Sequence, residues 1–166
     1  MNEEIKQFIE QQIRDHTHDG VLSRQINDFD LFGSIRARVP ANPATIATTG
    51  NTDVYIIAPI SGQLESVDFS GVDALATSDT NYITWTITNL GQAGAGTTAL
   101  LGAVNGNTTK ATGGTALSAN TKRTLILSTA TSATQVVEGD RLLIRAAATG
   151  TLANTVTFPT YLLRFR

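Results

Sequence analysis

The sequence has no cysteine, few aromatic residues and little charge, and each shortage excludes a class of protein. Without cysteine the chain forms neither a disulfide nor a thiolate metal site, and it has no thiol nucleophile. Charged residues make up 16% of the 166 residues and the net charge is -2, so no basic excess attracts nucleic acid or an anionic membrane. No apolar run approaches the roughly 20 residues that cross a bilayer, and Met1–Glu4 is unlike the start of a signal peptide. We therefore expect neither nucleic acid nor a membrane among its partners.

The residues that replace the missing charged ones are mainly Thr, Ala, Gly and Asn. This composition favours β structure. Thr in particular is β-branched and suits the solvent face of a strand. The charged residues concentrate before Val39, whereas residues 80–109 contain none. This step in composition predicts two parts with different surroundings: a helical and loop segment over residues 1–38, and a β domain over residues 39–166.

A short amphipathic helix is predicted over Asn2–Asp15. Its apolar side chains are spaced i, i+3, i+4 and i+8 and form one narrow stripe: Ile5, Phe8, Ile9 and Ile13. Asn2 suits the N-cap, and the glutamates that follow suit the positive end of the helix dipole. A helix of this length is marginal by itself, so the stripe needs a partner, either the rest of the chain or copies of the same helix.

Strand patterns dominate after this segment. Tyr82–Thr88 alternates strictly, with Ile83, Trp85 and Ile87 on one face and Tyr82 and Thr84 on the other. Pro159 predicts an edge position or a bulge in the last strand. Counting Tyr82–Thr88, the sequence has about eight predicted strands. This number predicts an all-β, jelly-roll-like antiparallel β-sandwich that follows the N-terminal helix. The other predicted strands are Ser34–Val39, Asp53–Ile60, Gln63–Phe69, Thr97–Val104, Arg123–Ser128, Arg141–Ala146 and Thr155–Arg166.

His16 and His18 are the only histidines, and one residue separates them. In extended backbone both rings point to the same side. Around a three-fold axis, three such pairs would offer six imidazoles, enough for an octahedral transition metal, with Asp15 and Asp19 orienting the rings. The alternative is that both histidines form hydrogen bonds within a turn.

Little in the sequence indicates an enzyme. It has no serine-nucleophile elbow, no phosphate-binding loop and no cluster of Ser, His and Asp. The catalytic alternative is a glycosidase with a carboxylate pair such as Glu65 and Asp140. Structural and surface roles are favoured for these carboxylates. If the chain is instead a binding module, its ligand surface is expected at Tyr82 and Thr84, with the Gly91–Gly96 loop as a further contact.

The uncharged stretch over residues 80–109 has two interpretations. One is burial between subunits, where charge is depleted. The other is an exposed, Thr-rich surface for weak polar contacts. Burial of part of the stretch is favoured, because exposure alone explains solubility poorly.

The run Ile13–Val21, which reads Ile-Arg-Asp-His-Thr-His-Asp-Gly-Val, resembles a His-x-His-(Asn/Asp)-Gly leader of tailed-bacteriophage virion proteins. In those proteins a short helix and this leader precede a small β domain in head-fibre, decoration or tail-fibre subunits. Three later segments resemble, in the same order, the trimeric jelly-roll knobs of that class: Gly62–Val67, Tyr82–Asn89 and Val137–Leu142.

The resemblance implies a non-enzymatic homotrimer located in the virion and assembled in the host cytoplasm. Residues 1–38 would then hold the trimer together and dock on the major capsid protein or another virion protein, with the β knob outward. It also implies no cofactor other than a transition metal at His16 and His18. The alternative is a tail-fibre or baseplate module that binds a receptor or host-surface glycan. A more remote alternative is a carbohydrate-active enzyme.

Overall fold

The computed structural model describes residues 37–43 and 45–166, and almost all of their regular structure is β. This confirms the all-β class. The predicted helix Asn2–Asp15, its apolar stripe, the His-x-His leader and the start of the predicted strand Ser34–Val39 lie outside the described residues. The described part holds nine strands and one 3₁₀ turn, Asn105–Asn107. In chain order the strands are β1 Ala37–Ala41, β2 Gly50–Ile57, β3 Gly62–Ser70, β4 Tyr82–Asn89, β5 Thr98–Ala99, β6 Arg123–Leu125, β7 Gln135–Val136, β8 Arg141–Thr149 and β9 Thr160–Phe165.

These strands form two antiparallel sheets. The first sheet has the order β1-β9-β3-β6, and β7 pairs with the first residues of β3. The second sheet has the order β2-β8-β4-β5. The chain therefore moves from one sheet to the other at most of its connections, which is how the two layers come to share one core.

The prediction of an edge or bulge position for Pro159 was wrong. Pro159 lies just before β9, and β9 pairs with β1 on one side and β3 on the other. Because the strand starts one residue later, the missing N–H of the proline removes no bond from the sheet. Beyond the proline, the side chains of Tyr161, Leu163 and Phe165 alternate along β9 and are all buried, so they share its core face.

Side-chain alternation directs one face of each sheet to the core. In the second sheet Ile83, Trp85 and Ile87 are buried, as predicted. Trp85 and Ile87 lie opposite the buried Ala146 and Ile144 of β8, and Ile83 lies opposite the partly buried Ala148. In the first sheet a bulge between Leu64 and Ser66 shifts the register with β9. Both Leu64 and Val67 are therefore buried, although strict alternation would place them on opposite faces.

Three aromatic side chains connect the two sheets. The Phe69 ring lies 5.1 Å from the Trp85 ring and 5.0 Å from the Tyr161 ring, centroid to centroid, and both pairs are tilted. Trp85 Nε1–H donates a hydrogen bond of 3.1 Å to the Tyr161 hydroxyl. Burial raises the pKa of this hydroxyl, so it stays neutral and can accept the bond. The cluster satisfies both buried polar atoms while it joins β4 to β3 and β9.

The outer faces of the sheets differ in charge. On the first sheet, Asp68 accepts hydrogen bonds of 2.7 Å from both Arg164 and Thr124, and Lys122 lies 3.7 Å away. On the second sheet, Arg145 and Asp53 form a bidentate pair at 2.7 Å that neutralises both charges. Large apolar side chains stand beside that pair: Tyr55 is 53% exposed and Ile57 is 55% exposed.

Candidate binding cleft

An open cleft of about 330 Å³ lies along the outer face of β4. Its floor carries the outward side chains of that strand, Tyr82, Thr84 and Thr86, and its wall is formed by residues between Ala99 and Lys110. Tyr82 and Thr84 were the two residues predicted for a ligand surface, and the structure places them in the same cleft.

The cleft exists because the chain leaves the edge of β4 and returns to it. β5 pairs with Thr88 and Asn89, and the Leu100 N–H still bonds to the Ile87 carbonyl at 2.8 Å. The chain comes back at Thr108, which forms an isolated bridge with Thr84. Residues 101–107 loop outward between these two points and leave the edge of β4 around Thr86 uncovered.

Asn107 holds the wall in place from inside. Its side chain is buried and donates hydrogen bonds of 2.8 Å to the carbonyls of Gly102 and Ile126. Its Oδ1 accepts a 2.7 Å bond from the Ile126 N–H. One amide thus ties the wall to the segment after β6 and accepts a bond from the Ile126 N–H.

Arg123, the first residue of β6, fastens the base of the same loop. Its guanidinium donates to three carbonyls: Gly106 at 2.6 Å, Thr108 at 2.7 Å and Thr115 at 2.8 Å. The guanidinium carbon also lies 4.7 Å from the centroid of the Trp85 ring. Burial lowers the pKa of Arg123, which marks the guanidinium as partly removed from water.

Lys110 brings a positive charge to the rim of the cleft. Its Nζ lies 5.1 Å from the centroid of the Tyr82 ring. The neighbouring carboxylate, Asp79, accepts hydrogen bonds from the Thr112 N–H at 2.8 Å and the Thr112 hydroxyl at 3.0 Å. These bonds, backbone first, lower the pKa of Asp79, and the charge of Lys110 lowers it further.

The cleft therefore offers an aromatic ring, hydroxyls, an exposed amide and one ammonium group. The described residues that line it include no carboxylate and no imidazole. These groups are suited to holding a polar, ring-shaped ligand by hydrogen bonds and apolar contact.

The other residues singled out in the β domain lie elsewhere. The Gly91–Gly96 loop follows the Asn89 end of β4, at the far end of the strand from Tyr82, and Gln92 bonds to the Glu138 carbonyl at 2.9 Å. Asp140 is buried and accepts bonds from the Asn89 amide and the Val137 N–H. Glu65 lies 3.7 Å from Arg166. The two carboxylates considered for a glycosidase pair thus each have a structural partner.

The remaining predicted site residues, His16 and His18 and the anchor residues Ile5, Phe8, Ile9 and Ile13, lie outside the described residues. Within residues 37–43 and 45–166, no three side chains of His, Asp or Glu converge to hold a metal ion. In the same part of the chain, no helix is long and apolar enough to span a membrane. No protein-family model, curated protein or solved structure matches the chain.

Proposed function

We propose that this chain is a non-enzymatic structural subunit of a virion, a homotrimeric capsid decoration or head-fibre protein. Its N-terminal segment, residues 1–38, anchors the trimer on the major capsid protein or another virion protein, and its β domain forms an outward knob. The strand order of the β domain is the observation that carries this proposal.

That strand order supports a jelly roll. Leaving aside the two-residue β7, the chain visits the first sheet, the second, the first, then the second twice, the first, the second and the first. Two four-stranded antiparallel sheets connected in this way are the arrangement of a jelly roll, which viral capsid proteins and lectins use. An eight-stranded domain of this kind agrees with the resemblance of the body to trimeric phage knobs.

The outer face of the second sheet supports self-association. Apart from the neutralised pair of Asp53 with Arg145, the half of this face formed by β2 and β8 carries one charged side chain, Arg141. The Arg141 guanidinium lies 5.6 Å from the centroid of the exposed Tyr55 ring. Depleted charge together with exposed aromatic and aliphatic side chains is typical of the centre of an interface between subunits. We expect copies of the chain to meet there and along the N-terminal stripe.

The anchor is tested by removing residues 1–36. This cut keeps β1 whole, because β1 begins at Ala37 and Ala37–Arg166 form one compact unit. The shortened chain should melt cooperatively but fail to bind particles produced without the native subunit. A shortened chain that still decorates those particles would remove the anchor from the proposal.

The helix stripe is tested by a matched pair of substitutions. Phe8→Asp places a charge in the predicted apolar stripe, and Gln7→Asp places the same charge on the opposite side of the predicted helix. The mass from light scattering should fall for the first variant and stay trimeric for the second. If Phe8→Asp stays trimeric, the stripe does not hold the subunits together.

A second candidate function, binding of a host-surface glycan, is favoured by the cleft. An aromatic ring and hydroxyls on the floor, beside a wall fixed by buried hydrogen bonds, are what a sugar site needs. Tyr82→Ala should abolish binding to host cells or to a glycan array without changing the trimer. Phe158→Ala is the matched control, because Phe158 is 80% exposed and does not line the cleft.

A further inference from the structure

We propose that the cleft selects saccharides that carry a carboxylate, and that Lys110 is the residue that determines this selectivity. The proposal rests on the glycan-binding function proposed above and specifies its ligand class. The ligand is an acidic sugar, such as a uronic or sialic acid, which binds with its carboxylate at the rim and its ring against Tyr82.

The position of the Lys110 charge favours a carboxylate at the rim. Lys110 is the only charged side chain among the described residues that line the cleft. Its backbone is fixed where the wall rejoins the sheet, because its N–H donates to the Thr108 hydroxyl at 3.1 Å and Thr109 bonds to the Ile83 carbonyl at 2.9 Å. The ammonium at the rim of the cleft therefore belongs to a residue whose backbone is held in place by hydrogen bonds.

The Lys110 ammonium has only a weak partner in the absence of ligand. It lies over the Tyr82 ring, while each oxygen of the neighbouring Asp79 already accepts a hydrogen bond from Thr112. A cation over an aromatic ring at a solvent-exposed site is held loosely. A charge-assisted hydrogen bond to a ligand carboxylate is roughly twice as strong as a neutral one, so an incoming carboxylate would draw the ammonium away from the ring.

Movement of the ammonium towards the carboxylate also completes the sugar site. Once the ammonium turns to the carboxylate, the Tyr82 ring is free to pack against the C–H face of a sugar. The Thr84 and Thr86 side chains on the floor and Asn105 in the wall can then bond to its hydroxyls. No acidic side chain of the described residues lines the cleft itself, and both oxygens of the neighbouring carboxylate, Asp79, accept hydrogen bonds from Thr112. The volume of about 330 Å³ has room for about one or two sugar rings.

The test is binding of matched sugars to the full chain by saturation-transfer difference NMR, which detects weak ligands of a large protein. The probes are the methyl glycosides of glucose, galactose and mannose, their three uronic acids, N-acetylneuraminic acid, and acetate as a bare carboxylate. Affinities are compared for the native chain and for Lys110→Met, which keeps an unbranched side chain without its charge. Lys122→Met is the matched control. It also removes a lysine charge, but that lysine lies next to Asp68 of the other sheet.

We expect at least one acidic sugar to bind more tightly than its neutral counterpart. Lys110→Met should weaken that acidic sugar about tenfold, as loss of one hydrogen bond to a charged group implies, and Lys122→Met should leave it unchanged. Equal binding of acidic and neutral sugars would overturn the selectivity and leave glycan binding standing. Binding of no sugar would overturn both. Acetate binding as tightly as the acidic sugar, or an equal loss in Lys122→Met, would show a bare effect of charge and also overturn the selectivity.

Discussion

Replacing Arg123 with Met should destabilise the β domain although this side chain is only partly buried, because three backbone carbonyls depend on it. The guanidinium donates to the carbonyls of Gly106, Thr108 and Thr115 over 2.6 to 2.8 Å and lies 4.7 Å from the Trp85 ring centroid. A methionine keeps the apolar length of the side chain but can make none of these bonds.

The expected loss follows from the number and the exposure of those bonds. A hydrogen bond to a charged group contributes about 1.5–3 kcal/mol. Water can reach some of the freed carbonyls, because Thr115 is exposed and Gly106 is partly exposed, so the three bonds do not add in full. We therefore expect a loss of about 3 kcal/mol in the free energy of unfolding, or a fall of about 10 °C in Tm for a chain of this size.

The assay is thermal and urea unfolding followed by far-UV circular dichroism and by the fluorescence of Trp85, the only tryptophan. The Tm of Arg123→Lys should lie between the Tm of the native chain and that of Arg123→Met. An ammonium keeps the charge, but it lacks the forked guanidinium geometry that reaches three carbonyls. Arg38→Met, at an exposed position on the outer face of β1, is the matched control and should change Tm little. A loss below about 1 kcal/mol for Arg123→Met would refute the claim that this side chain holds the cleft wall.

Three further predictions concern the core, the pH dependence and the leader. Tyr161→Phe should cost about 1–3 kcal/mol in urea unfolding, because the buried Trp85 Nε1–H loses its acceptor, and a native-like Cm would contradict this role. Burial alone would raise the pKa of Asp68, but bonds from Thr124 and Arg164 and the charges of Arg164 and Lys122 lower it below 3.8. Asp68 therefore stabilises the fold above its unfolded pKa of about 3.9, and the benefit is lost as pH falls through its lower folded value. Asp68→Asn should flatten this acid limb of a stability-against-pH curve, and an unchanged slope would contradict the assignment. The purified full chain should hold about one transition metal per trimer by mass spectrometry, and the double variant His16→Ala/His18→Ala should hold none. A native chain without metal would mean that the histidines are turn residues.

Local periodicity predicted the central strands and part of the cleft. Strict alternation in β4 placed Trp85 in the core and Tyr82 and Thr84 on the outer face, where they line the cleft. The two-residue strands β5 and β7 carry no such period, and this is why Thr97–Val104 was predicted too long and Gln135–Val136 was missed.

The wall of the cleft was beyond sequence patterns because its bonds join residues far apart in the chain. Asn107 reaches Ile126, 19 positions away, and Arg123 reaches Gly106, 17 positions away. Neither contact has a periodic signal. The one clue was Lys110, the first charged residue after the uncharged stretch over residues 80–109, which the fold brings to Tyr82.

The most direct test of the virion-subunit proposal is the solution mass of the full chain by light scattering. A mass three times that of the 17.6 kDa chain, independent of concentration, is the result we predict. A monomer at all concentrations would contradict the proposal. The N-terminal stripe would then pack within its own chain, and an independent glycan-binding module would become the better account of the β domain.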